Sequence, residues 1–360
     1  ETVLNVGLTE ATVHGLAQSS KNPRFAYDSY RRLIMMYADV VMEKSNNITS
    51  SDENGIRHKL EECMDELKAK KKYQKDTDLN ENDLKILCKE FKQIIKNTLG
   101  DEFPDDSEIQ LWNTIKAVFN SWNGDRAKSY RNIEGISNRM GTAVNIQSMV
   151  FGNMGDGSAT GVAFTRNPST GENVFYGEWL ENAQGEDVVA GIRTPNPLNE
   201  ESKSLQSKEL VSLEEKYTAL YAELYEIKNN LELHYKDMQD IEFTIENQRL
   251  WMLQTRNGKR NGVSAIKIAF DLQEDGVIDE QEVLNRISSD HLNEIMLPVI
   301  DANEEHEAKV ITRGLPAGPG GATGQIVFSA DDAEKWHADG KEVILVRQEP
   351  SPEDVHGMYA

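Results

Sequence analysis

Asp240, Glu242, Gln254 and Arg256 lie close together in the stretch Gln239 to Arg260, QDIEFTIENQRLWMLQTRNGKR. Their types are those that ion and phosphate chemistry uses. Carboxylates hold Mg2+, a guanidinium fork grips phosphate oxygens, and a carboxamide serves either. Asp240 to Ile245 alternates polar and apolar, the period of a half-buried strand, and Leu250 to Thr255 resumes after the polar Asn247-Gln248-Arg249. A three-residue loop there predicts Ile245 opposite Trp251, Phe243 opposite Leu253 and Ile241 opposite Thr255. The other face then pairs Glu242 with Gln254 and Asp240 with Arg256. The same alternation also describes the solvated face of an ordinary hairpin with cross-strand charge pairing.

Other segments offer weaker chemistry. Gly152 to Gly161 holds four glycines between two strand-like runs, a composition that lets backbone N–H groups turn toward an anion. It matches neither a Walker A loop nor a G-x-G-x-x-G turn, and on these residues alone a flexible hairpin connection is the better reading. Gln184-Gly185-Glu186-Asp187 places two acids where a metal or ribose contact, or a helix cap and first turn, would put them. Asp271 to Glu282 nearly matches a calcium-binding loop, with Gly276 sixth and Glu282 twelfth, but Gln273 replaces an acidic third residue. A capped helix–turn–helix corner is the competing reading. The seven histidines are scattered, without metal or triad spacing.

The elements that must position these residues are mostly helical in the first third. Helical spacing predicts helices over Phe25–Met42, Glu53–Lys72, Asn80–Lys96 and Ile109–Trp122, with capping residues around Asp78 to Asp83. From Gly141 the character changes, and strands are predicted at Thr142–Val150, Gly161–Thr165 and Val174–Leu180. One long helix over Leu210–Tyr235 leads into the hairpin, and a helical pair is expected over Ser264–Leu272 and Asp279–Ile287. The Gly- and Pro-rich stretch from Ile311 to Ala330 marks a boundary.

Composition limits the partners. The chain has 360 residues, is 38% hydrophobic and contains five Trp and eleven Tyr, enough for real cores. A formal charge of −22 argues against a nucleic-acid or anionic-membrane partner, though not against Mg-ATP. Cys63 and Cys88 support no disulfide framework and suit a reducing, intracellular setting, cytoplasmic or organellar. Asn47-Ile48-Thr49 is read as a chance sequon, and no run reaches the length of a membrane span.

Taken together, NPRFAYDSYRR from Asn22, GTAVNIQSMVFGN from Gly141, TGVAFTRNPSTGE from Thr160, NAQGEDVVAGIRTP from Asn182, the hairpin and SPEDVHGM from Ser351 resemble the pyruvate phosphate dikinase family. The resemblance implies an α+β fold organised around an ATP-grasp lobe with an antiparallel sheet. Residues 1–140 would be a mostly helical subdomain, 141–260 the nucleotide-binding lobe, 261–309 a helical linker and 310–360 the start of a β/α swivelling phosphohistidine domain. It implies ATP, AMP and phosphate as ligands, Mg2+ as cofactor, and a homodimer for the full-length enzyme. That enzyme converts ATP, phosphate and pyruvate to AMP, pyrophosphate and phosphoenolpyruvate through a phosphohistidine.

Carried to this numbering, the metal ligands are Asp240 and Glu242. The ATP contacts are Gln147, Met149 and Val150 of a hinge strand, Gly155, Gly157 and Gly161 of a loop over the phosphates, Glu186, Asp187, Gln254 and Arg256. The family's phosphorylated His and its pyruvate domain are expected beyond Ala360, and its N-terminal cationic wall before Glu1. No His here is therefore assigned a catalytic role, and weak or absent ATP binding is expected of this stretch alone. The rival readings are a phosphoenolpyruvate synthase-like or glucan-dikinase-like protein and a Ca2+-binding or helical interaction module.

Overall fold

A computed structural model of the chain describes residues 3–43, 55–133, 135–189, 194–203, 207–297, 300–301, 309–312, 320–347 and 354–359. The sequon at 47–49, the start of the helix expected from Glu53, and parts of the Gly/Pro-rich stretch and of the SPEDVHGM block lie outside them. Ala360, beyond which the phosphorylated His is expected, also lies outside the described residues.

Backbone contacts group the chain into two units that interleave in sequence. The first takes residues 1–160, 180–193 and 244–251; the second takes 161–179, 194–243 and 252–360.

The first unit is built on helices α1 (Glu10–Ser20), α2 (Pro23–Tyr37), α3 (Ile56–Lys71), α4 (Glu81–Leu99), α5 (Ser107–Ser121) and α6 (Asp125–Ile133). Asn22 caps α2 and Pro23 occupies its first turn, where a missing N–H costs nothing. The helix expected to run to Met42 gives way after Tyr37 to a π-helical segment, Ala38–Glu43. Asn80 and Asp83 close a capping box on α4, which ends at Gly100 with φ 83°. Phe25, Leu33, Ile34, Leu84, Leu87, Phe91 and Ile95 are buried. On α5 the inward face is largely polar. Gln110, Thr114 and Ala117 face inward while Trp112 is 61% exposed. The Gln110 carboxamide explains this, since it donates to the Leu8 and Pro104 carbonyls and accepts from Gly7 N–H.

Five strands form one sheet in the order β3-β2-β1-β4-β5: β1 (Ala159–Phe164), β2 (Tyr176–Glu181), β3 (Asn196–Pro197), β4 (Gln239–Glu246) and β5 (Arg249–Asn257). β2 and β3 pair antiparallel, and Thr165 N–H to the Gln239 carbonyl and Thr160 Oγ1 to Thr244 Oγ1 share the same antiparallel register between β1 and β4. Gly161 sits inside β1. An added Cβ would lie 2.5 Å from Phe243 Cζ and 2.7 Å from the Glu178 carbonyl oxygen, so only glycine fits.

Thr142–Val150 is not a strand. The residues form no ladder, and Ile146 is 66% exposed. β-Type composition describes a side chain that fits a pleated, half-buried surface, and here no neighbouring strand supplies one. The single helix expected over Leu210–Tyr235 is broken at Tyr217 (φ −128°, ψ 52°) into α8 (Leu213–Lys216), closed by the Ser212–Glu215 capping box, and α9 (Thr218–Tyr235). A five-residue helix, α7 (Gly185–Val189), belongs to the first unit.

In the second unit α10 (Gly262–Glu274), α11 (Glu280–Arg286) and α12 (Ser289–Ile295) follow the hairpin. Met238, Ile268, Ala269, Leu272, Ile278 and Val283 make their core. A parallel pair, β6 (Gln325–Val327) and β7 (Val343–Leu345), flanks α13 (Ala330–Ala338).

Candidate functional site: a hairpin with an ion face and a fastened glycine loop

The hairpin forms with a different tip from the one expected. Only Asn247 and Gln248 lie between the strands, both in the left-handed region (φ 48° and 61°), the geometry of a two-residue type I′ turn. Asn tolerates that region through its short polar side chain. A two-residue tip alone would set Asp240 opposite Thr255. Yet Arg256 Nε donates to Asp240 Oδ2 at 2.7 Å, and Gly258 N–H donates to the Met238 carbonyl at 2.9 Å. β5 therefore carries one extra residue between tip and base, as a β-bulge does, and the predicted Asp240–Arg256 pairing is restored at the base.

This base belongs to the second unit. Asp240 is buried against the more exposed Arg256. Glu242, two residues on and so on the same face of β4, is half-buried and has no hydrogen-bond or ion-pair partner among the described residues. Gln254 is exposed. The described residues contain no cluster of three or more His, Cys, Asp or Glu that could cage a metal. Two carboxylate groups are nevertheless what Mg2+ takes from a protein when phosphates and water complete its octahedron, so the donor set fits that ion.

A buried polar network fixes the base, and the sequence reading missed it. Gln239, 1% exposed, donates from Nε2 to Asn257 Oδ1 and accepts from Thr255 Oγ1, tying both strands. Its backbone N–H donates to Thr165 Oγ1, which in turn donates to Glu232 Oε2. Arg166 forks onto Glu232 Oε1 from Nε (3.1 Å) and Nη2 (2.8 Å) and reaches Asp271. Burial works against the Arg166 charge, but Glu232, Asp271 and Asp275 more than offset it, so this guanidinium stays charged. Asp237 is held by Arg260 Nη1 and Nη2, at 2.7 and 2.8 Å, and by Arg286.

The glycine segment lies in the first unit. Its loop is residues 152–158; Gly161 belongs to the strand instead. Gly155 (φ 124°) and Gly157 (φ 80°) adopt conformations that L side chains avoid. The loop is fastened at many points. Gln248 N–H donates to the Gly157 carbonyl (2.8 Å), Asn247 N–H to Ser158 Oγ (3.2 Å), Ala183 N–H to the Gly152 carbonyl (3.0 Å) and Asn22 Nδ2 to the Met154 carbonyl (3.1 Å). Phe151 N–H donates to Glu246 Oε1. Upstream, Gln147 is exposed and Met149 and Val150 are half-buried in irregular backbone.

Also in the first unit, Glu186 and Asp187 fall in α7; the Glu186 side chain is outside what the structure describes. Asp187 plays the cap role anticipated for this turn, accepting from Gln184 N–H at 2.8 Å, and it pairs with Arg32 Nη1 at 3.0 Å. Arg32 is one arm of a buried ionic cluster in α2. Asp28 accepts from Arg31 Nη2 (2.6 Å) and Arg32 Nε (3.3 Å). Burial would raise the Asp28 carboxyl, but Arg31 and Arg32 overcome it and hold it down at about 2. The Asp28–Arg31–Arg32 spacing of three and four along one helix was the available signal.

The calcium-loop resemblance resolves into the corner. Asp271 and Gln273 are inside α10, Gly276 (φ 71°) makes the turn, Asp279 caps α11 through Glu282 N–H, and the Glu282 carboxylate pairs with Arg286. Among the described residues, no helix is long and apolar enough to cross a membrane.

The model of the family described as pyruvate phosphate dikinase, AMP/ATP-binding domain, matches residues 1–219 and 196–275. Among curated proteins, a pyruvate, phosphate dikinase of Rhizobium meliloti (strain 1021) is 50% identical over 361 positions, covering all of this chain and 39% of that protein. Chloroplastic relatives from Flaveria pringlei and Arabidopsis thaliana, with the same designation, are 50% and 49% identical, and the chain covers 35% of each. The chain thus spans little more than a third of the length of these relatives. With the matched segments reaching from residue 1 to the helix after the hairpin, the chain belongs to the pyruvate phosphate dikinase AMP/ATP-binding domain family.

Proposed function

We propose that this chain is the ATP-binding part of a pyruvate phosphate dikinase, with the base of the β4–β5 hairpin as its cation and phosphate edge. The observation that carries this reading is the pairing of Asp240 with Arg256 beside Glu242, which has no partner among the described residues, on one strand face within the region the family model matches. In it, Asp240 and Glu242 hold Mg2+, which when bound neutralises charge on the polyphosphate. Arg256 exchanges Asp240 for phosphate oxygens, and Gln254 donates beside it. Gly155, Gly157 and Asp187 of the first unit, with Gln147, Met149, Val150 and Glu186, remain proposed nucleotide contacts on the strength of the family resemblance. Gly161 is better explained by its packing under Phe243.

The fold is proposed to be of ATP-grasp type, with residues 261–309 as a linker and 310–360 as the start of a swivelling domain. The full-length protein would convert ATP, phosphate and pyruvate to AMP, pyrophosphate and phosphoenolpyruvate, with the phosphorylated His beyond Ala360. The test is to separate the two halves of that reaction in the full-length protein carrying Arg256→Ala. AMP formation from ATP and phosphate should fall by at least about a hundredfold, as loss of one transition-state donor does, while exchange between pyruvate and phosphoenolpyruvate persists. Undiminished AMP formation would overturn the assignment.

A further inference from the structure

Asn22 stands outside every site residue assigned above, yet its side chain has two jobs in the first unit. Its Oδ1 accepts from Phe25 N–H at 3.1 Å and caps α2. Its Nδ2 donates to the Met154 carbonyl at 3.1 Å, across 132 residues of sequence. The same nitrogen is 3.6 Å from where a Cβ on Gly155 would stand. Asn247 Nδ2 lies 3.1 Å from Met154 Sδ, so the residue preceding Gly155 is gripped at both main chain and side chain. Ser158 N–H closes the turn onto the Gly155 carbonyl at 3.1 Å. The crest of the glycine loop is therefore a turn whose leading edge is anchored on the half-buried, capped start of α2, and the anchoring atom is the one the cap does not use.

We propose that Asn22 is a positioning residue for the nucleotide's phosphates, acting through the Met154 carbonyl to hold Gly155–Gly157 in place. This rests on the nucleotide reading given under Proposed function. A capping role alone would require only an oxygen, and Asp or Ser would serve as well. The anchoring role requires the amide nitrogen. A loop already held in its binding conformation loses less freedom when a phosphate docks on it, which is how the anchor would add affinity.

The two roles separate in the full-length protein with Asn22→Ser and Asn22→Asp. Both keep an oxygen for the cap and remove the donor; Ser adds no charge, so an effect shared by both is not electrostatic repulsion of the phosphates. With Mg-ATP as the probe, each variant should bind roughly fivefold more weakly, the worth of one net hydrogen bond. Amide hydrogen exchange should quicken at Ser158 while the amides of α2 from Phe25 to Tyr37 keep their protection. Wild-type affinity in both variants, or loss of protection in α2 together with the loop, would overturn the proposal. If the unsubstituted protein binds no Mg-ATP, the nucleotide reading itself fails and this inference falls with it; if it binds while only the Asn22 variants are unaffected, the reading stands and this inference alone fails.

Discussion

Replacing Asp28 by Asn tests whether the charge cluster in α2 holds the first unit together, and its size can be worked from the geometry. Asp28 and Arg31 are both buried, with side-chain exposures of 8% and 4%, and the carboxylate accepts two bonds from Arg31 and one from Arg32. Removing one partner of a buried ion pair costs about 3–5 kcal/mol. Arg32 keeps Asp187, and the Asn carbonyl still accepts from Arg31, so the lower end, about 3 kcal/mol, is expected.

Part of this has a pH signature. A carboxyl lowered from its ordinary 3.8 to about 2 corresponds to about 2.4 kcal/mol of stabilisation in the charged state. Because the folded value is the lower one, that stabilisation is complete above the ordinary carboxyl range and drains away as pH falls through about 2. Near pH 3 about 1 kcal/mol of it should be gone. Urea unfolding followed by helical circular dichroism, on wild type and Asp28→Asn at pH 7 and pH 3, reads both quantities. The gap should be about 3 kcal/mol at pH 7 and about 1 kcal/mol smaller at pH 3. Equal stability at pH 7, or a gap that does not shrink in acid, would show that the Asp28 charge does not stabilise the first unit.

Gly161→Ala forces a Cβ against Phe243 and the β2 backbone and should cost about 1–3 kcal/mol; an unchanged thermal midpoint would show that the sheet yields freely there. Asp279→Ala removes the cap of α11 and should cost about 1 kcal/mol, while millimolar Ca2+ should leave the wild-type midpoint where it is. A calcium-dependent rise would restore the binding-loop reading. Burial, reinforced at Cys63 by the Glu90 carboxylate, pushes both thiols up to about 12. Roughly one thiol in ten thousand is then ionised at pH 8, and alkylation by iodoacetamide should be far slower than for glutathione. Alkylation as fast as that of glutathione would contradict it.

What could be read in advance was local. Alternation along Asp240–Ile245 announced β4, and the capping residues around Asp78 to Asp83 announced the start of α4, because these signals act between residues only a few positions apart. The Asp240–Arg256 pair was predicted for a three-residue loop, but the chain reaches it by a tighter turn and an extra residue in β5, two departures that cancel at the base. Thr142–Val150 looked like a strand because its residue types suit one, but strand formation depends on a partner that sequence alone does not supply. Gln110 is buried and Trp112 exposed on α5 because three backbone groups, two of them at the sequence-distant Gly7 and Leu8, require the carboxamide. Arg32 to Asp187, Glu232 to Arg166 and Asn22 to Met154 are separated by 155, 66 and 132 residues, so no spacing rule could have joined them.

The central claim is that Glu242, beside Asp240, holds the cation that accompanies the nucleotide. Mn2+ in place of Mg2+ makes this visible by electron paramagnetic resonance, in a titration of the full-length protein with Mn-ATP. Glu242→Gln, nearly identical in shape, should weaken Mn-ATP binding by at least about tenfold while leaving the thermal midpoint unchanged, because Glu242 has no partner to lose among the described residues. Wild-type Mn-ATP affinity in Glu242→Gln would contradict it.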